Sequence, residues 1–284
     1  MMNPPSEADA SFWTWVRSAL YIVLVYVGIV AMLLFFENWL VFQPTKAAQH
    51  WQPPPSPDIE DVELAAADGA RIHAWWCPAK DSDPAILYCH GNAGNLSHRG
   101  NSIVKLRQKL NASVLIVDYP GYGKSEGAPT EQGCYSAADA GYDWLLSKKK
   151  FPPTKIILYG GSLGGGVVTD LASRKDHRAL VLIKTFSSLP DVASDLYWWL
   201  PAPKSWLMSN RFESIQKIGS IRRPVFIAHG TADALIPFEH GKRLFAAANE
   251  PKCFYEMPGH DHNMPLPDAM FTALDEFLSK HSAN

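Results

Sequence analysis

The sequence predicts an α/β protein built on a mostly parallel, eight-stranded sheet with helices on both faces. Short apolar, β-branched runs alternate with longer segments of helical pattern from about residue 61 to the end of the chain. Strands that alternate with helices in this way are typical of a parallel sheet. The roughly 240 residues that follow the first ~45 are enough for one large domain of this class.

The individual elements follow from these runs in chain order. The strands are expected near residues 61–66, 71–77, 85–89, 113–118, 155–160, 179–185, 224–229 and 252–257. The helices are expected near residues 97–110, 131–148, 163–174, 237–248 and 267–280. Asp68-Gly69 is a favourable turn between the first two strands, which therefore suit an antiparallel hairpin at one edge of the sheet.

The N-terminal segment, residues 1–45, predicts a membrane anchor. Ala19 to Phe36 is an uncharged apolar run of 18 residues, about 27 Å long as a helix, against about 30 Å for the hydrocarbon core of a bilayer. Trp13, Trp15 and Trp39 flank the run, as expected at membrane interfaces. A buried helix is the alternative, but no polar residue interrupts the run. The end of the run lacks the small residues of a signal-peptide cleavage site.

The charges around this run predict its orientation. Arg17 precedes it, whereas Glu37 and the more distant Lys46 follow it. The positive-inside rule then places the N-terminus in the cytoplasm, with the folded domain, residues 46–284, on the non-cytoplasmic side.

The most informative motif is Gly160-Gly161-Ser162-Leu163-Gly164, which lies between a predicted strand and a predicted helix. A G-x-S-x-G sequence at such a junction is typical of a nucleophile elbow. A sharp turn there would expose the hydroxyl of Ser162 at a helix N-terminus, which favours a developing oxyanion. The alternative is a glycine-rich turn in which the serine is an ordinary N-cap.

A serine nucleophile needs an acid and a base, in the chain order serine, acid, histidine. Asp233 follows the predicted strand 224–229, and His260 follows the predicted strand 252–257. Both therefore lie at the carboxyl edge of the sheet, where Ser162 also lies and where parallel sheets bind ligands.

Each assignment has an alternative. Asp233 could be a helix N-cap, in which case Asp118, Asp191 or Asp195 would supply the acid. His262 competes with His260, which we favour because Gly259 gives it a flexible approach directly after the strand. A metal site at His260-Asp261-His262 is less favoured, since no second cluster of ligands accompanies it.

An oxyanion hole requires two backbone N–H groups. Leu163, the residue after the nucleophile, supplies one. The small-residue loop His90-Gly91-Asn92-Ala93-Gly94-Asn95 follows another predicted strand, and Asn92 is its best-placed donor. His90 is expected to hold this loop rather than to act as a second base.

Four stretches together resemble the α/β-hydrolase superfamily, in the same order along the chain. They are His90–Asn95, Asp118–Ser125, the G-x-S-x-G motif and His229–Pro237. Within the superfamily, the chain is similar to single-anchor hydrolases of the bud-emergence type, relatives of the abhydrolase-domain depalmitoylases, from about Leu40 onward.

The resemblance implies an α/β-hydrolase fold with Ser162 as nucleophile, Asp233 as acid and His260 as base. In that family the base is often followed by Asn-Asp, whereas Asp261-His262-Asn263 follows His260 here.

Substrate contacts are expected in a small cap insertion, at about residues 186–223. Trp198, Trp199 and Trp206 stand close together there and can line an acyl pocket. They could instead rest on a membrane surface or pack the insertion onto the core. An insertion this short suits a modest cap over an open cleft.

These observations together predict a membrane-anchored serine hydrolase that cleaves esters or thioesters of acyl chains through an acyl-enzyme. A peptidase that uses the same triad and an inactive scaffold used for binding are the alternatives. The chemistry requires no metal and no organic cofactor. The 26 basic and 28 acidic side chains are nearly balanced, which argues against a nucleic-acid partner. Four cysteines without paired spacing predict no disulfide framework.

Overall fold

Eight strands form one sheet in the computed structural model, which describes residues 7–67, 69–80, 84–200 and 203–281. The strands are β1 Glu60–Ala65, β2 Arg71–Cys77, β3 Ala85–Cys89, β4 Ser113–Val117, β5 Ile156–Gly161, β6 Ala179–Ile183, β7 Val225–Gly230 and β8 Lys252–Met257. Their spatial order is β1-β2-β4-β3-β5-β6-β7-β8. All eight predicted strands are present, with ends that differ by at most two residues from those predicted.

The sheet is parallel from β4 to β8 and antiparallel at its first edge. β1 pairs with β2 and β2 with β4 in antiparallel register, whereas the remaining neighbours run parallel. The predicted hairpin is confirmed. Gly69 has a φ of +84° in its turn, and Asp68 lies outside the described residues.

Helices cover both faces of the sheet. In the described part of the chain they are α1 Glu7–Phe35, α2 Glu37–Val41, α3 Gly100–Leu110, α4 Glu131–Ser147, α5 Leu163–Arg174, α6 Leu189–Leu196, α7 Lys204–Leu207, α8 Ser214–Lys217, α9 Phe238–Ala247 and α10 Asp268–Lys280. The five helices predicted for the folded domain are confirmed. The short cap helices α6, α7 and α8 were not predicted, because segments of four to eight residues carry little periodicity and depend on tertiary packing.

Two apolar cores lie on opposite faces of the sheet. One contains Leu87 of β3 together with side chains of α4, α5 and α9, and the other contains Ile86 together with side chains of α3 and α10. Successive side chains of a strand point to opposite faces. Each central strand is therefore buried on both faces, which explains its continuous apolar sequence.

Helix α1 is longer than the predicted run. Its apolar segment Ser11–Phe35 has 25 residues, and the most apolar 18-residue window in it has a mean hydropathy of 2.5 and is not buried in the protein. By length and composition this helix can cross a membrane. A signal sequence near the N-terminus can have the same length and composition. Tyr26, Val30 and Leu33 are partly buried, and their spacing puts them on one side of the helix. This side of α1 meets the folded domain.

Helix α5 starts immediately after β5 and lies very close to β3. A Cβ atom on Gly164 would lie 1.9 Å from the carbonyl oxygen of Cys89, and one on Gly160 would lie 2.3 Å from the carbonyl oxygen of Gly164. Only glycine therefore allows this approach of helix and strand. The turn between them carries Ser162.

Gly164→Ala should lower the melting temperature by several degrees. The added methyl group has to displace backbone of β3, and overpacking of this kind costs about 1–3 kcal/mol. Thermal unfolding of the full chain in one detergent measures the change. Gly219→Ala is the control, because its Cβ would lie 3.6 Å from the nearest atom, an ordinary contact. An unchanged melting temperature for Gly164→Ala would contradict the close approach.

Candidate active site

Ser162 occupies the sharp turn between β5 and α5, as the motif predicted. Its φ of 51° and ψ of −120° are a conformation that non-glycine residues rarely adopt. Two hydrogen bonds from the β6 side hold this geometry: the Ser162 N–H donates to the carbonyl of Ile183 at 2.9 Å, and the Thr185 hydroxyl donates to the carbonyl of Ser162 at 2.7 Å. The sheet therefore holds a strained turn that presents the serine hydroxyl to a cavity.

The histidine that meets Ser162 is His262. Its Nε2 lies 3.2 Å from the Ser162 Oγ, and its Nδ1 lies 2.8 Å from the Asp233 Oδ2. The Nδ1–H tautomer satisfies both contacts, since it donates to the carboxylate and accepts from the hydroxyl. His260 instead has its Nδ1 3.2 Å from the carbonyl oxygen of Pro258. The prediction that His260 pairs with Ser162 and Asp233 was therefore wrong.

The loop after β8 explains this correction. Gly259 has a φ of +69°, and the His260 N–H closes a turn onto the carbonyl of Met257. The carbonyl of His260 packs against Gly230 of β7 and accepts from Ala232 at 3.2 Å. This turn keeps His260 at the strand end, and the chain needs two further residues to reach Ser162. A sequence signal for this existed, because His262 is followed by asparagine, whereas His260 is not.

Asp233 lies where an acid partner is needed, in the loop after β7. Its Oδ1 accepts from the N–H groups of Leu235 and Ile236, at 3.1 and 2.8 Å. Burial acts to raise the pKa of Asp233. Hydrogen bonds from the His229 and His262 rings and from the Ile236 N–H outweigh it and hold this pKa far below its usual range. The carboxylate therefore stays ionised across the physiological range.

The other candidate acids are engaged elsewhere. Asp118 pairs with His90 through atoms 3.0 Å apart, Asp191 accepts from the Ser187 hydroxyl, and Asp195 pairs with His240 at 2.9 Å. Within the part of the chain that the structure describes, no group of three acidic, histidine or cysteine side chains converges on a cation site.

The loop after β3 lies beside the serine. A Cβ on Gly91 would lie 3.3 Å from the Cβ of Ser162, so this loop approaches the nucleophile as backbone. Leu163 is the first residue of α5, and its N–H has no acceptor within its own helix. The side chain of Asn92 is fixed, because its Oδ1 accepts from the Gln43 N–H at 3.0 Å and from the Tyr122 hydroxyl at 2.9 Å. The two N–H groups predicted to bind an oxyanion thus belong to neighbouring segments.

His90 holds this loop, as predicted. Its buried ring lies 3.0 Å from Asp118 Oδ1 through Nε2 and 2.7 Å from the Gly91 carbonyl through Nδ1. The Tyr119 hydroxyl donates to the His90 carbonyl at 2.6 Å. The ring is completely buried and belongs to the support of the site.

Lys184 is a residue next to the site whose contacts the sequence did not reveal. It follows β6 with a φ of +47°, and its Nζ donates to the carbonyls of Asp261, His262 and Met264 at 2.8, 3.0 and 2.8 Å. Burial lowers the pKa of this lysine, whereas the Asp233 and Asp261 carboxylates favour its charged form. Lys184 therefore fixes the loop that carries His262. In the sequence it reads only as the end of a strand.

A cavity of about 810 Å³ lies over Ser162 and His262, within the range typical of small-molecule sites. Leu196, Leu200 and Leu207 of the cap line it. Trp198, Trp199 and Trp206 do not line it, and their side chains are 80%, 56% and 86% exposed. The prediction that these tryptophans form the pocket is thus corrected. The short cap segments turn leucines inward and tryptophans outward.

Comparisons with known proteins agree with this architecture. A family model described as the alpha/beta hydrolase fold matches residues 84–208. An uncharacterised protein of Mycobacterium tuberculosis is 36% identical over 91% of this chain and 93% of its own length. The alpha/beta hydrolase domain-containing protein WAV2 of Arabidopsis thaliana is 33% identical over 82% of this chain and 83% of its own length.

Two further proteins extend the comparison. The bem46 protein of Schizosaccharomyces pombe is 28% identical over 94% of this chain and 97% of its own length. The solved structure of the esterase Pf2001 of Pyrococcus furiosus superposes with a TM-score of 0.69, at 21% identity, over 86% of this chain and 98% of its own. With 33% and 36% identity extending over more than four fifths of its length, the chain belongs to the α/β-hydrolase family.

Proposed function

We propose that the protein is a membrane-anchored serine hydrolase that cleaves carboxylic esters or thioesters of acyl chains through an acyl-enzyme. The observation that carries the proposal is the contiguous row of Ser162, His262 and Asp233, which opens into a cavity with many leucine side chains. A hydroxyl becomes a useful nucleophile when a base stands within hydrogen-bond reach and a third group orients that base.

In the proposed reaction, the Ser162 Oγ attacks the carbonyl carbon of the substrate while the His262 Nε2 takes the hydroxyl proton. Asp233, kept ionised by its hydrogen bonds, stabilises the imidazolium that forms. The N–H groups of Leu163 and Asn92 bind the oxyanion. His262 then protonates the leaving alcohol or thiol, and a water molecule, deprotonated by His262, releases the acid from Ser162. Every step uses groups of this chain and water.

The membrane anchor in this proposal is helix α1. Its span of 25 residues exceeds what a bilayer core requires, at about 1.5 Å per residue. The exposed Trp198, Trp199 and Trp206 suit the headgroup region, where amphipathic indole rings are stabilised. We propose that the N-terminus lies on the cytoplasmic side of the membrane and that the domain, residues 46–284, lies on the other side. The basis is the distribution of charged residues on either side of the span.

The direct test is labelling and turnover by the full chain in detergent micelles. A fluorophosphonate probe should label Ser162, and p-nitrophenyl acyl esters should be hydrolysed. Ser162→Ala should abolish labelling and lower kcat by about 10⁴-fold or more.

Ser187→Ala is the matched control, because Ser187 also contacts a histidine and a carboxylate but lies outside the cavity. The Ser187→Ala variant should still be labelled by the probe and should still hydrolyse the esters. Turnover of aminoacyl amides in place of esters would show a peptidase. Absence of labelling and of turnover on either substrate class would show a binding scaffold.

Separate substitution of the two histidines distinguishes His262, the base in the structure, from His260, the base predicted from the sequence. His262→Ala should lower kcat about as far as Ser162→Ala, because the serine loses its base. His260→Ala should keep most of the activity, since among the described residues its ring hydrogen-bonds to the Pro258 carbonyl and not to Ser162 or Asp233. Steady-state kinetics of both variants on one ester measures this. The reverse order of effects would restore His260 as the base.

Lys184→Met should lower kcat by about 10–100-fold with little change in KM. Methionine keeps the unbranched apolar stem of lysine but has no ammonium group to bind the three carbonyls, so the His262 loop loses its fixed position. Misplacement of a catalytic group by about 1 Å can cost this much.

Lys252→Met is the control for Lys184, because Lys252 also donates to two carbonyls, those of Phe245 and Ala248, at the opposite end of its strand from the site. It should affect the melting temperature but not kcat. Equal effects of the two substitutions on kcat would contradict a positioning role for Lys184.

A further inference from the structure

The anchor itself forms part of the cavity wall. Val30, Leu33 and Leu34 from the last two turns of α1 line the same cavity as Ser162, together with Leu40 and Val41 from α2. Val30, Leu33 and Leu34 are partly buried, whereas Ile22 and Val23 farther up the helix are exposed. The helix therefore does more than tether the domain, because it completes one side of the cavity.

A buried carboxylate fixes this end of the anchor. Glu37 begins α2 and is only 7% exposed. It accepts from the Ser209 N–H at 2.9 Å and from both the N–H and the side-chain amide of Asn210, at 2.6 and 2.9 Å. Hydrogen bonds between a charged group and buried donors are among the stronger ones in proteins. They hold α1 and α2 in a set orientation against the part of the cap between α7 and α8.

The chain after α2 continues this attachment toward the catalytic serine. The Gly94 N–H donates to the carbonyl of Gln43 at 3.2 Å, the Thr45 N–H donates to the carbonyl of Gly94 at 2.9 Å, and the Gln43 N–H binds the Asn92 side chain. The loop beside Ser162 is thus bonded directly to the residues that leave the anchor. The cavity wall formed by α1 and α2 is therefore connected by hydrogen bonds to the loop after β3, which contains Asn92.

The mouth of the cavity is apolar. Leu40, Leu196, Leu235 and Met264 line the cavity, yet each is between 38% and 49% exposed. Trp39 and Trp206, which directly precede the cavity-lining Leu40 and Leu207, are 75% and 86% exposed. Exposed large apolar side chains that cluster in this way mark a surface that meets another apolar phase. The cluster is continuous with a helix able to span a bilayer, so that phase is the bilayer.

We propose that the substrate is a long-chain acyl ester or thioester that resides in the bilayer holding α1, and that its acyl chain passes along the last two turns of α1 into the cavity. This inference rests on the proposed function. Water adds its hydroxyl to the acyl carbon and its proton to the released alcohol or thiol. The acid product returns to the bilayer by the same path. Val30, Leu33 and Leu34 are then determinants of acyl-chain specificity.

The test uses the full chain in nanodiscs and compares kcat/KM for palmitoyl and acetyl esters of one chromophore. Leu33→Trp and Leu34→Trp place an indole in the cavity and should lower the palmitoyl-to-acetyl ratio at least about tenfold, because each excluded methylene is worth about fourfold. Ile22→Trp places the same indole on an exposed position of the same helix and should leave the ratio unchanged.

The outcomes separate this inference from the proposed function. If the parent chain hydrolyses neither ester, or if Ser162→Ala retains turnover, the proposed function fails and the inference falls with it. If Ser162→Ala abolishes turnover but Leu33→Trp and Leu34→Trp keep the parent ratio, only the inference is overturned. An equal loss on both esters in the two variants also overturns it, since the wall would then have no part in chain recognition.

A second measurement identifies the phase that supplies the substrate. The enzyme is reconstituted in vesicles that contain a palmitoyl ester lipid, or is mixed with separate vesicles that contain the same lipid at the same total concentration. Faster hydrolysis in the shared vesicles is expected. Equal rates would mean that the substrate arrives through water, which would overturn access from the bilayer.

Discussion

The strained turn at Ser162 is the constraint on which the rest of the site depends. A non-glycine residue at φ 51° and ψ −120° costs of order 1–3 kcal/mol, and it persists only because packed elements on both sides leave no other path. Glycines at 160 and 164 let α5 approach β5 and β3, while the carbonyl of Ile183 and the side-chain hydroxyl of Thr185 hold the turn from the β6 side. The hydroxyl is thereby aimed into the cavity instead of into the core.

Around this fixed point, loops from neighbouring strands are held by buried polar groups that bind backbone. Lys184 ties the end of β6 to the loop after β8, Asp233 binds amides of its own loop, and His90 holds the loop after β3. Buried polar groups are costly unless their hydrogen bonds are satisfied. Carbonyl and amide partners are fixed by the fold, so each of these three side chains holds a loop at a defined distance from Ser162. The result is a preorganised site on a rigid sheet.

The apolar helix α1 belongs to the same connected structure. The buried Glu37 binds Ser209 and Asn210 of the cap, and Gln43 bonds to the loop beside the serine. A flexible tether would leave the cavity open on one side and free to face water. The fixed helix instead closes that side with leucine and valine, and it sets the apolar mouth next to the surface that carries the exposed tryptophans. The same fixed helix thus sets both the orientation of the cavity mouth and the apolar composition of the cavity wall.

The sequence by itself determined the strands, the principal helices and the positions of Ser162 and Asp233 at one edge of the sheet, because local signals encode them: β-branched runs, helical periodicity, and glycines that a tight turn requires. The tertiary structure decided which histidine reaches the serine, since the two candidates differ by two residues and only the packing of the His260 carbonyl on Gly230 sets where the loop turns. It also decided the contacts of Lys184, whose three acceptors lie more than 75 residues away in the sequence. The outward direction of Trp198 and Trp206 was decided in the same way. Contacts between distant segments carry no local pattern. Only the packing of the sheet, the cap and helix α1 brings them together.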